Sequence, residues 1–136
     1  MTSPPALPAE YRRFVVEFNH GWYWASHETL EDVWRRTRSE FYHGLILLAS
    51  AFVHVQRENA HGVAAQSDKA IAALSSYCPQ YLGMDVTRLI RHLRHVQAAV
   101  RREPTRSEGG ARGIAAPVLE LEERLIRGTE PELDAE

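Results

Sequence analysis

The sequence predicts an all-α fold: a compact single-domain bundle of about five to six helices. Three observations predict it. Apolar residues recur at i, i+3, i+4 spacing along most of the chain. Gly, Pro and Asn breaks separate the runs, and few segments alternate with period two. The 136 residues are about one domain's worth, and 44% hydrophobic with 25% charged is an ordinary globular balance.

Tyr11, Phe14, Val15 and Phe18 make the first helical stripe. Pro8 lies near its start, where proline is tolerated, and Asn19-His20-Gly21 stops it. A second helix covers Trp22 to Thr37, with Tyr23, Leu30, Val33 and Trp34 on its apolar arc. A turn near Arg38-Ser39 leads to a third, Glu40 to Glu58, apolar on almost every side and therefore central. Asn59 and Gly62 bracket a break before an alanine-rich fourth helix, Val63 to Ser76, whose small residues allow close approach. Pro79 and Gly83 form a loop, and Asp85 caps a fifth helix running through Arg102. These elements make a helical bundle domain over 8–103. Residues 104–116, mixing Pro, Gly, Arg, Ser and Glu, read as a linker. Residues 117–136 read as a short C-terminal helix, with Val118, Leu121, Leu125 and Ile126 apolar, and an acidic tail.

Composition narrows the function. The net charge of −2 speaks against nucleic acid as a partner. The longest apolar stretch, Leu45 to Val53, is far short of the ~20 residues a bilayer requires, so no membrane partner is expected. The first residues lack the basic patch and apolar run of a signal peptide, which makes a cytoplasmic location the expectation. A single cysteine, Cys78, excludes an internal disulfide and a thiolate-rich metal site. Lys69 is the one lysine against fifteen arginines, so amine chemistry would rest on it alone.

The informative residues are polar ones on apolar faces. At about 100° per residue, His27, Glu31 and Trp34 form one stripe of the second helix, flanked by Tyr23 and Leu30, while Glu28 points toward water. On the third helix Glu40, His43, Ser50, His54 and Arg57 fall within roughly 100° of one another. Antiparallel packing across the turn near residue 38 sets His27 level with Ser50, His54 about one turn further on, and His43 near Trp34. His27, Glu31 and His54 are therefore the candidate metal ligands, since two imidazoles and a carboxylate suit a divalent metal such as zinc with a position left open. Tyr23, Trp34, His43 and Ser50 are the candidate lining residues. The bland alternative is that these groups hydrogen-bond one another and fix helix register. The spacing is His-Glu-x-x-Glu, so the His-Glu-x-x-His zinc-protease motif does not apply.

Phe18-Asn19-His20-Gly21-Trp22-Tyr23-Trp24, followed by His27-Glu28-x-Leu30-Glu31-x-x-Trp34, resembles the domain of unknown function 309 family of small bacterial and archaeal proteins. Phe41-x-x-Gly44-Leu45-Ile46 and His54-x-Gln56-Arg57-x-Asn59 are similar to that family's next helix. The resemblance covers about residues 10–90 and not the tail after Pro104. It implies a compact all-α fold and maps the family's His-x-x-x-Glu-x-x-Trp signature, associated with metal binding but with no reaction, onto His27, Glu31 and Trp34. At position 43 the family pattern has glutamine and this chain histidine. Two functions are then expected: a metal- or small-ligand-binding helical protein of hydrolytic type with a site between the second and third helices, or a non-enzymatic helical module that binds a protein partner.

Overall fold

A computed structural model describes residues 7–102 and 114–122. Among the described residues five helices run in order: α1 Ala9–Asn19, α2 Tyr23–Thr37, α3 Glu40–Gln56, α4 Ala60–Leu74 and α5 Val86–Arg102. A short 3-10 turn, Ser75–Tyr77, and a hairpin of β1 Gln80–Tyr81 and β2 Met84–Asp85 join α4 to α5. The hairpin is antiparallel, pairing Gln80 with Asp85 and Tyr81 with Met84. Leu82 and Gly83 both have positive φ, 46° and 79°, the geometry of a tight two-residue hairpin turn.

The helix ends follow local chemistry. Arg38 closes α2 in the left-handed region, φ 56°, its N–H donating to the Trp34 carbonyl at 2.7 Å. Ser39 then opens α3 by accepting from the Tyr42 amide at 3.2 Å. Asp85 caps α5 as expected, accepting the Arg88 amide at 2.9 Å. The α3–α4 junction differs from expectation. Asn59 accepts the Gly62 amide at 3.1 Å, so α4 begins at Ala60 and Gly62 lies inside its first turn instead of at a break.

α3 is the central element, packed between α2 and α4 and burying Phe41, Leu45, Leu48, Ala49 and Phe52. A Cβ on Gly44 would stand 2.7 Å from Leu74 Cγ and Cδ2, so glycine lets α3 and α4 approach closely. α1 lies over α3 through aromatic contacts: Tyr11 with Phe41 and Tyr42, each at 5.9 Å, and Phe18 with Phe52 at 5.8 Å. The buried Tyr11 hydroxyl donates to the Leu82 carbonyl at 2.9 Å and ties α1 to the hairpin. Among the described residues no helix is long and apolar enough to cross a membrane.

The C-terminal segment corrects the sequence reading. Residues 117–122, expected to begin a short helix, carry none, and 114–116, assigned to the linker, lie against the core through Ile114 and Ala116. The cause is where the backbone bonds go. Pro117 has no N–H, Asn19 takes both the N–H and the C=O of Leu119 at 2.8 Å each, and the Glu122 N–H goes to the Gly83 carbonyl at 2.8 Å. None of these groups is left to close a helical turn. The linker residues 104–113 and the remainder of the expected helix and tail lie outside the described residues.

Candidate metal centre

α2 presents His27 and Glu31 on one face because i and i+4 lie one turn apart. His27 Nδ1 stands 3.3 Å from Glu31 Oε2 and 3.4 Å from Glu28 Oε1. One donor atom from each of the three residues falls within 4.8 Å of the others. The His27 Nδ1 is buried and makes no aligned hydrogen bond among the described residues. Its ring stacks on Trp24, 5.1 Å between centroids and 8° between planes. The other Glu31 oxygen, Oε1, accepts from Arg35 at 2.5 Å, which holds that carboxylate in place.

Beside this set lies an open recess of about 230 Å³ between α2 and α3, closed on one side by α4. His27, Glu31 and Trp34 line it from α2, His43, Ile46, Leu47 and Ser50 from α3, and Gln66 from α4. Trp34 stacks on His43 at 4.6 Å and 14°, and the Arg38 guanidinium sits 4.8 Å over the Trp34 ring. The Trp34 Nε1 is buried with no hydrogen-bond partner among the described residues. His43 Nδ1 is 3.9 Å from Glu40 Oε1.

Five of the seven sequence candidates therefore share this recess: His27, Glu31, Trp34, His43 and Ser50. Two are placed elsewhere. Tyr23 packs on Phe18 at 4.9 Å and Phe52 at 5.6 Å, and burial raises its phenol above the ordinary value. His54 is not among the residues lining the recess. Its Nδ1 lies 3.2 Å from Asn59 Nδ2, and its ring fills the space that a side chain on Gly62 would need. The early start of α4 is the reason: the stripe on α3 continues to His54, but there α4's first turn covers it. Burial, with the nearby Arg57, lowers the His54 pKa below 6.5.

Glu28 is the ligand candidate that the rotation argument missed. Its side chain is half exposed, yet its carboxylate comes within 3.4 Å of His27 Nδ1. Sequence adjacency to His27 was the available signal. Gln66 was missed because it comes from α4, whose register against α3 no spacing encodes.

The fold and this site together define a small helical domain with a histidine–carboxylate set on one helix beside an open recess. Residues 11–65 match the family model described as a domain of unknown function (DUF309), a stretch that spans α1, α2, α3 and the start of α4. The match stops short of residue 90, to which the resemblance had extended. No curated protein and no solved structure matches the chain.

Proposed function

We propose that His27, Glu28 and Glu31 bind one divalent cation, and that the adjoining recess admits a small ligand to it. The observation that carries this reading is the convergence of three donor atoms within 4.8 Å around a buried, unbonded imidazole nitrogen. The donor set suits the group. Oxygen and nitrogen ligands bind a borderline metal at about 2.0–2.2 Å, so donors around one ion stand no more than ~4.4 Å apart. A small rotation of the half-exposed Glu28 side chain meets that limit. Imidazole together with two carboxylates favours zinc or manganese over calcium.

Each neighbouring residue then has a task. Trp24 holds the His27 ring by stacking, and Arg35 holds Glu31 through one oxygen so that the other faces His27. A cation with three protein ligands keeps positions open for water, and metal-assisted hydrolysis is the reaction class such a centre supplies. His43, Ser50 and Gln66 offer polar groups to a ligand, and Ile46 and Leu47 an apolar wall.

The test uses protein purified without an affinity tag, titrated calorimetrically with zinc and with manganese. We expect one ion per chain, and at least tenfold weaker binding in Glu31→Gln with unchanged helical circular dichroism. Absence of binding by both metals overturns the reading, as does wild-type affinity in the Glu28→Gln/Glu31→Gln double variant. A purely structural pair would instead show lower stability in Glu31→Gln, by about 1–3 kcal/mol, with no metal bound by either protein.

A further inference from the structure

We propose that the channel between the end of α1, the β-hairpin and the start of α5 is a docking groove for an extended segment of another protein, and that residues 114–122 occupy it in cis. The contacts that hold this segment are those of peptide recognition. Four are to its backbone: Asn19 takes the N–H and C=O of Leu119, His92 Nε2 meets the Ala115 carbonyl at 2.8 Å, and the Gly83 carbonyl accepts the Glu122 N–H. An asparagine amide that pairs with both groups of one residue does what a neighbouring strand does, and it reads an extended chain without reading its side chains.

Specificity comes from one anchor and from charge. Leu119 is 4% exposed, whereas Val118 before it is 73% exposed and Glu120 after it faces solvent. This inward–outward alternation is that of an extended strand. Arg88 and His92 line the groove side together with one carboxylate, Asp85, which caps the Arg88 amide, and Glu120 and Glu122 line the segment side, so an occupant with a carboxylate after its leucine can face the Arg88 guanidinium. Gly83 lies under the segment. A Cβ there would come 3.1 Å from the Glu122 carbonyl oxygen and would sit on a backbone with φ of 79°, so glycine suits this close passage of the backbone.

The fit is incomplete. A space of about 250 Å³ remains between the segment and Met84, Arg88, Leu89 and His92. A partner with a larger side chain next to its leucine would fill it and outcompete the cis segment. The chain's own segment, at an effective concentration in the millimolar range, excludes weak ligands and sets a threshold that a partner must exceed.

The experiment uses the full chain carrying Leu119→Ser, which removes the anchor in cis, and a fluorescent peptide of the wild-type 114–122 sequence. We expect the variant to bind the peptide at least tenfold more tightly than the wild-type chain does. Adding Asn19→Ala should abolish that gain, as should a peptide with serine in place of its leucine. A Leu119→Ser chain that keeps its helical circular dichroism and ignores the peptide overturns the proposal. Should that variant fail to fold, amide exchange in the wild-type chain decides. Leu119 and Glu122 amides that exchange through an opening easier than that of the α3 amides support a detachable segment, and exchange at the slow α3 rate refutes it.

Discussion

Gly62→Ala should destabilise the protein, although alanine is the better helix former. In an unhindered helix the change contributes up to about 1 kcal/mol of stability. Here the new Cβ would lie 2.5 Å from Cγ and 2.7 Å from Cε1 of the His54 ring. The ring must swing away, which costs about 1–3 kcal/mol as overpacking and about 1 kcal/mol more for its contact with Asn59. The net expectation is a loss of about 1–3 kcal/mol. In a His54→Ala background the obstruction is gone, and the same substitution should stabilise by up to about 1 kcal/mol. Urea unfolding followed by circular dichroism reads both. With a slope of roughly 1–3 kcal/mol per molar, a 2 kcal/mol effect moves the midpoint by about 1 M. The coupling energy of this cycle measures the His54–Gly62 contact directly. A Gly62→Ala midpoint above wild type, or an equal change in both backgrounds, would refute the assignment of His54 to helix packing.

Tyr11→Phe removes the hydroxyl that reaches Leu82 and leaves a buried carbonyl unsatisfied, so thermal or urea unfolding should show a loss of about 1–2 kcal/mol. Gly44→Ala drives a methyl into Leu74 and should cost about 1–3 kcal/mol in the same assay. His54 carries a pH dependence of definite sign. Its folded pKa lies below 6.5 through burial and then Arg57, so the unfolded chain takes up a proton more readily. Its contribution to stability is full above pH 6.5 and is lost as the pH falls through the folded pKa. Unfolding free energies measured between about pH 7 and pH 5 should therefore fall less steeply in His54→Gln than in wild type.

The helices were legible because their apolar spacing and their caps agree: Ser39, Asn59 and Asp85 each accept the amide that a capping residue should. The pairing of Trp34 with His43 was legible too, since a short antiparallel connection leaves little freedom in register. His54 shows the limit. Its angle on α3 is the same as that of His43 and Ser50, and only the position where α4 begins separates them. That position rests on an Asn59 cap that a glycine at 62 disguises as a break. In the C-terminal segment, Val118 and Leu121 have helical spacing while Leu119 and Leu121 have strand spacing. The choice is made by Asn19, one hundred residues away, and no local pattern contains it.

That remoteness has a consequence for synthesis. α1 leaves the ribosome before α2 to α5, yet the partner of its last residue is made one hundred residues later. At roughly 5–20 residues per second, the Asn19 amide waits about 5–20 s for Leu119. Once α2 and α3 have followed, α1 is held by its aromatic contacts to them, whereas the surface around Asn19, and around Gly83 after it is made, stands open until Leu119 arrives. The order of synthesis therefore leaves this surface uncovered until the segment 114–122 reaches it.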